Sequence, residues 1–277
     1  MIKRPGHYTF AALIILAIFA LASCDLFATP DPDEGYFTYT LGSDHVVITG
    51  HTGNTRNRHI FIPQSIGEMP VTGVADSAFE SRGIVSVYIP YGVTRIEQRA
   101  FRYNQLSEVS IPSSVRVIES SSFWGNRLTK VSIPRGLYIG AGTFAQNHFE
   151  SLYIPLDVSF FGDAAFAFNR LKQLDFADGF NGIIALRTFA NNLLETVVIP
   201  PGVTSIHHEA FANNPLRSIT IGADFPFYFR WGEENQHTEY TFPFGDGFEE
   251  FYIANGRLAG TYVRTSATST DWRLLEE

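Results

Sequence analysis

The chain repeats itself every twenty-two residues or so. Ala78-Phe79 returns as Ala100-Phe101, Ser122-Phe123, Thr143-Phe144, Ala165-Phe166, Thr188-Phe189 and Ala210-Phe211, at steps of 22, 22, 21, 22, 23 and 22. A beat this regular restricts the chain to architectures in which each unit is one winding stacked on the last, since a short unit cannot bury an apolar face alone.

Other positions keep the beat. Three residues past each of the last six phenylalanines stands an asparagine (Asn104, Asn126, Asn147, Asn169, Asn192, Asn214), and two further on a large apolar residue (Leu106, Leu128, Phe149, Leu171, Leu194, Leu216). The first unit instead has Arg82 and Ile84. Then come pairs two residues apart: Val87/Ile89, Val109/Ile111, Val131/Ile133, Leu152/Ile154, Leu174/Phe176, Val197/Ile199 and Ile219/Ile221. Residues two apart share one face of a strand, so each unit is expected to carry one short strand, apolar side inward. Pro90, Pro112, Pro134, Pro155 and Pro200 close most of these runs. With no amide hydrogen and a fixed φ, proline turns the chain out of the ladder. A second apolar pair such as Val93/Ile96 or Val115/Ile118 then leads back to the next Ala-Phe.

The phenylalanines should therefore pile into a dry column, with a small neighbour that lets coils approach. The asparagines are expected to be structural, since a short amide at a bend can bond main-chain groups of its own and the adjacent coil.

The consensus L-x-x-V-x-I-P-x-x-V-x-x-I-x-x-x-A-F-x-x-N, seven units in phase from about residue 62 to 222, resembles the BspA-type, or treponemal-type, leucine-rich repeat of bacterial surface proteins. The resemblance implies a mainly β leucine-rich-repeat solenoid of about seven coils, with an adhesin-like role in binding host or bacterial protein or glycan partners. Tyr36 to Leu41, a turn at Gly42-Ser43-Asp44, and Val46 to Gly50 with Gly53-Asn54-Thr55 are similar to the opening module of that family, and physically make a β-hairpin cap over residues 36–61. Three departures stand out. Five more residues separate Pro63 from Phe79 than Pro90 from Phe101, and Phe176-Ala177 and Ile221-Gly222 replace Ile-Pro.

Before the repeats, Lys3 and Arg4 precede thirteen apolar residues, Phe10 to Ala22, too short for a spanning helix and suited to a signal peptide over residues 1–23. Leu21-Ala22-Ser23-Cys24 resembles the lipobox of bacterial lipoproteins, which implies lipid attachment at Cys24, the only cysteine. A lone cysteine forms no internal disulfide, consistent with an anchor. Residues 24–35, with Pro30, Asp31, Pro32, Asp33 and Glu34, read as an acidic tether. The expected location is exported and lipid-anchored in the bacterial envelope, at its outer surface. Asp25, which follows the cysteine, keeps open a periplasm-facing scaffold for another envelope protein.

After Gly222 the beat stops, and residues 223–277 hold rings from Phe225 to Trp272, expected as a packed C-terminal β cap. Within it Asn255-Gly256 lies between two strand-like runs, a hairpin signal. Together with Trp272 this stretch is similar to a small β module at the ends of some spirochaetal surface lipoproteins. Alternatively, its rings form a sugar- or peptide-binding patch.

Residues 1–23 contain two of the 20 basic residues and none of the 28 acidic ones, which leaves the remainder at 18 against 28, a net −10. Nucleic acid and anionic lipid are poor partners for such a body. Catalytic signatures are missing: no Gly-rich phosphate loop, no G-x-S-x-G elbow, no His-Glu-x-x-His helix. No enzyme, cofactor or metal is expected. His207-His208-Glu209 point alternately to opposite sides of extended chain. A carbohydrate-active enzyme acting through the aromatic tail, with Glu249 and Glu250, is the remote alternative.

What remains is surface. The outward strand positions Ser86/Tyr88, Glu108/Ser110, Lys130/Ser132, Ser151/Tyr153, Gln173/Asp175, Thr196/Val198 and Ser218/Thr220 form a hydroxyl-rich strip. Tyr88, Glu108, Lys130, Tyr153 and Asp175 are its candidate ligand-binding residues, although a solvated strand face has the same composition. Tyr103, Trp124 and Phe168 place rings where other coils have small or polar residues, and serve either recognition or packing against the next coil.

Overall fold

The computed structural model describes residues 36–52, 58–158, 160–231, 237–240, 242–245 and 247–275. The expected signal peptide, Cys24 and the tether lie outside them. In chain order the strands are β1 (Phe37–Leu41), β2 (Val46–His51), β3 (His59–Phe61), β4 (Ser65–Ile66), β5 (Met69–Val74), β6 (Ser86–Tyr88), β7 (Arg95–Ile96), β8 (Val117–Ile118), β9 (Tyr138–Ile139) and β10 (Ser151–Ile154). They continue with β11 (Phe160–Phe161), β12 (Gln173–Phe176), β13 (Ile183–Ile184), β14 (Thr196–Val198), β15 (Ser205–Ile206), β16 (Ser218–Ile221), β17 (Tyr228–Trp231), β18 (His237–Tyr240), β19 (Gly260–Val263) and β20 (Arg273–Leu274). The fold is a mainly β leucine-rich-repeat solenoid.

The phenylalanine column runs through the middle of it. Successive rings from Phe79 to Phe211 stack with centroids 5.3 to 6.0 Å apart and planes within 22° of parallel. All seven are fully buried. Burying one such ring contributes about 1.5–3 kcal/mol, and offset stacking adds to that.

The asparagines clamp the coils beside the column. Asn147 Nδ2 donates to the carbonyls of Phe123 (3.0 Å) and Phe144 (3.1 Å), while its Oδ1 accepts from the amide of Leu128 (3.0 Å). Asn126 repeats the pattern with Phe101, Phe123 and Leu106, and Asn192 with Phe166, Phe189 and Leu171. A buried amide that satisfies main-chain groups of two coils at once costs little to bury and fixes their register.

Each coil bends sharply on both sides of its phenylalanine. The residues two before and two after it hold left-handed backbone in all seven coils, from Ser77 (φ 57) and Ser81 (φ 57) to Glu209 (φ 55) and Asn213 (φ 58). Only Gly125 and Gly142 among the fourteen are glycine.

Pairing departs from the single-strand expectation. The return segments, expected only to lead back, form the longest ladder, ordered β1-β2-β5-β7-β8-β9-β11. From β2 onward its pairs are parallel, as in Arg95↔Val117 and Ile96↔Ile118. The strand face is instead paired in separate patches, β3-β6, β10-β12 and β14-β16-β19-β20. Val109/Ile111 and Val131/Ile133, expected in strands, lie in segments that pair with no strand among the described residues.

The ends are closed as solenoid edges require. The β1-β2 hairpin extends the return sheet, and β3 pairs in parallel with β6. The five extra residues after Pro63 fall in a tight hairpin in which β4 pairs antiparallel with β5. At the far end β19 pairs antiparallel with β16, continuing the strand face into the cap. The cap corrects one expectation: Phe248–Ala254 is a helix, with Asn255 at its C-cap and Gly256 beyond it at φ 76. The Asn-Gly pair therefore ends a helix, where the left-handed conformation is equally useful. Phe248, Tyr252, Tyr262 and Trp272 form its buried core.

Candidate functional site

The gap in the strand-face ladder opens a groove. A cavity of about 520 Å³ is lined by Ser86, Val87, Glu108, Val109, Ser110, Lys130, Val131 and Ser132, two or three residues from each of three successive coils. Among the described residues no hydrogen bond engages the amides of residues 108–111 or 130–133, whereas on the return side the amides of Glu97, Glu119 and Gly140 are bonded across coils at 2.8–2.9 Å. Of the valines that line it, Val109 is buried, while Val131 and Val87, the latter on the open side of the β3-β6 patch, are half-buried. The groove thus combines an apolar floor, hydroxyl walls, one carboxylate, one ammonium and a row of main-chain donors and acceptors. Backbone groups left unpaired in this way are costly unless water or a ligand satisfies them.

The sequence-derived strip residues share this face. Glu108 and Lys130 line the groove itself; Tyr88 is exposed on its first coil, and Tyr153 and Asp175 are exposed on the two coils that follow it. Asp175 accepts a hydrogen bond from Gln173 Nε2 at 2.5 Å. The three odd aromatics separate by environment. A Cβ on Gly125 would meet the Tyr103 ring at 2.5 Å, and one on Gly142 would meet the Trp124 ring at 2.7 Å. Tyr103 and Trp124 therefore pack against the next coil, where glycine makes room, and the Arg102 guanidinium lies 4.5 and 5.9 Å from their ring centroids. Tyr103 and Phe168 both stay about half-exposed, at 47% and 50%.

Elsewhere the chemistry is sparse. A second depression of about 400 Å³ on the return sheet is lined by Arg95, Gln98, Val117, Glu119, Ser120 and Tyr138, where Arg95 and Glu119 are ion-paired. His208 lies 3.6 Å from Glu209 and accepts from the amide of Phe242 (3.3 Å). Among the described residues no cluster of three or more His, Cys, Asp or Glu side chains could hold a metal, and no helix is long and apolar enough to cross a membrane. In the cap, Tyr252 donates to the carbonyl of Gly222 (2.6 Å) and accepts from the amide of Phe225 (3.0 Å). Burial pushes the phenols of Tyr252 and Tyr262 above their ordinary range.

Sequence reasoning named the outward residues but not the valine floor, because strand alternation assigns Val87, Val109 and Val131 to the core. It also passed over a basic row at Arg127, His148 and Arg170, each four residues beyond a column phenylalanine.

The model of the BspA type leucine rich repeat region matches the chain in six copies, over residues 72–192 and 182–227. Among solved structures the chain is similar to the leucine rich repeat protein of T. pallidum, at 24% identity and a TM-score of 0.50 over 65% of this chain and 86% of that one. A leucine-rich repeat protein from Bacteroides ovatus is matched at 20% identity and a TM-score of 0.48, over 69% of this chain and 64% of that one. The pneumococcal vaccine antigen PcpA is matched at 21% and 0.47, over 69% of this chain and 49% of that one. The chain thus spans less than two thirds of the Bacteroides ovatus protein. No curated protein matches it. With the repeat matched over more than half its length and the stacked coils in place, the chain belongs to the BspA-type leucine-rich repeat family.

Proposed function

We propose that this chain is an exported, lipid-anchored binding protein of the bacterial cell surface that engages a protein or glycan partner through its strand face, centred on the groove at Glu108, Ser110, Lys130 and Ser132. The observation that carries this reading is the missing ladder. Two segments that could have paired with their neighbours leave their amides unbonded around a 520 Å³ groove. An extended partner with polar main-chain or hydroxyl groups can satisfy those amides while covering the valines. The apolar run before Cys24, with the lipobox-like Leu21-Ala22-Ser23-Cys24, supports export and anchoring, since acyl chains add about 0.8 kcal/mol per buried methylene.

An array of matrix proteins and glycans probed with the purified chain tests the reading. Ser110→Trp fills the groove from an exposed position, and should lower affinity for any captured partner at least tenfold with no change in melting temperature. Capture that is indifferent to Ser110→Trp and Lys130→Glu would move the site off this face. Protease added to intact cells should degrade the protein. Survival until the envelope is opened would refute the surface location and favour the periplasmic scaffold.

A further inference from the structure

The ion pairs of this solenoid follow one rule. Among the described residues, each lysine or arginine paired with a carboxylate meets it on a neighbouring coil, as in Arg102–Glu80 (3.6 Å) and Lys172–Glu150 (3.3 Å). Opposite charges facing each other across adjacent strands stabilise a stack, and like charges in the same place destabilise it.

Other basic residues, including Arg116, Lys130 and Arg217, have no ion pair among the described residues, and one corner gathers three basic side chains in a row. Four residues beyond the column phenylalanine, three successive coils carry Arg127, His148 and Arg170. Their amides are fixed to the preceding coil, Arg127 to the carbonyl of Leu106 (2.9 Å), His148 to that of Leu128 (2.8 Å) and Arg170 to that of Phe149 (3.0 Å). The three side chains thus leave the body in register, one per coil. Arg127 and Arg170 are exposed and His148 half-buried, and neither arginine has a carboxylate within ion-pair distance among the described residues. Glu150, two residues past His148, is engaged by Lys172. Burial, then the charges of Arg170 and Arg127, lower the His148 pKa.

A second anomaly sits beside the row. Phe168, two residues before Arg170, is 50% exposed on left-handed backbone (φ 57). Tyr103 holds the same phase and backbone (φ 54) and is 47% exposed, but its ring has Gly125 and the Arg102 guanidinium against it, whereas the equivalent position in the coil after Phe168 is Asn191. A bulky ring held in that conformation and left in solvent is the kind of outlier that marks a binding position.

We propose that Arg127, His148, Arg170 and Phe168 form a binding site for an acidic polysaccharide lying along the solenoid axis, its anionic groups on the two arginines and one sugar face on the ring. Guanidinium groups grip planar or tetrahedral oxyanions with paired donors. Two coil steps separate the arginines by roughly 10 Å, so a short run of charged sugars spans them. The net −10 of the chain beyond residue 23 opposes densely charged polyanions, nucleic acid and highly sulfated sugars alike, whereas a polyuronate with one carboxylate per disaccharide sets its charges far enough apart for two arginines and offers an apolar sugar face to Phe168. This site lies on the corner adjoining the strand face and stands or falls separately from the groove.

The test is calorimetric titration of the full chain with a hyaluronan-type hexasaccharide, with an uncharged cello-hexaose and a single-stranded oligonucleotide of matched charge as comparators. The acidic sugar should bind, more weakly as salt rises, and the uncharged sugar should not. Arg127→Ala with Arg170→Ala should cost at least tenfold in affinity and flatten the salt dependence by about two charges, while the melting temperature holds or rises as the repulsion is relieved. His148→Lys should strengthen binding severalfold at pH 7.5. Phe168→Ala should weaken it a few-fold without altering the salt slope. Equal binding by parent and double variant, equal binding of the uncharged sugar, or tighter arginine-dependent binding of the oligonucleotide would each overturn the proposal.

Discussion

Phe211 stacks on Phe244 with ring centroids 5.4 Å apart and planes 11° from parallel, although 33 residues separate them rather than the usual 22. The amide of Phe211 donates to the carbonyl of Pro243 at 2.7 Å, just as that of Phe101 donates to Ser122 at 2.8 Å. Phe244 is thus an eighth rung, supplied by the cap, and it joins the column to Phe227 and Phe248.

Removing that rung should uncouple the cap. Phe244→Ala is expected to cost about 3–5 kcal/mol in urea unfolding, with a separate early transition for the cap. Phe242→Ala, two residues away but 40% exposed, should stay within about 0.5 kcal/mol of the parent. Equal effects for the two would mean that Phe244 does not continue the column.

The asparagine clamp predicts an asymmetry between isosteres. Asn147→Asp keeps an acceptor for the amide of Leu128 but loses the donor to Phe123 and Phe144, setting a carboxylate against two buried carbonyls. A loss of about 2–4 kcal/mol in chemical unfolding is expected, since buried unsatisfied groups cost roughly 1–3 kcal/mol each. A neutral outcome would show that water, not the carbonyls, satisfies this amide.

Glycine in the left-handed positions separates conformation from contact. At Gly142 (φ 61) an added Cβ would strike Trp124 at 2.7 Å, so Gly142→Ala should lower stability by about 2–3 kcal/mol, combining the roughly 1–2 kcal/mol left-handed cost with overpacking. Ser121→Gly, at φ 60, relieves only the first term and should be neutral or mildly stabilising. Thermal unfolding of the pair measures both terms.

Acid should weaken the fold already in the range where histidines titrate. His51, His148 and His207 all have pKa values lowered from 6.5, burial being the main cause at each, with Arg82 adding at His51, Arg170 and Arg127 at His148, and Asp163 opposing at His207. The unfolded chain therefore takes up protons first as pH falls through 6.5, and stability drops from about pH 7.5 towards 5.5. Asp44 and Asp76, lowered from 3.8 by hydrogen bonds from His45 and Ser77, act only further down. A melting temperature flat between pH 7.5 and 5.5 would contradict the histidine account.

How much of this was legible follows from what the repeat encodes. The column and its asparagines were readable because every coil states them again, and averaging over seven units removes local noise. The strand-face gap was not, because Val109/Ile111 and Val131/Ile133 have the same pattern as pairs that do form strands. Which side of a coil keeps its ladder is decided by stacking over many coils. The eighth rung was hidden by the longer spacing to Phe244, and the cap helix by an Asn-Gly pair that suits a helix end as well as a hairpin. The basic row was readable in phase, but its meaning needed the carboxylates of the neighbouring coils to be located elsewhere.

Residue-resolved amide exchange on the purified chain bears most directly on the claim that the strand face is open where the return sheet is closed. The amides of Val109, Ser110, Val131 and Ser132 should exchange quickly in the free protein, those of Glu119 and Gly140 slowly, and the first group should gain protection when a partner from the array is bound. Slow exchange at Val109 to Ser132 in the free chain would show a closed ladder and remove the groove on which the proposed function rests.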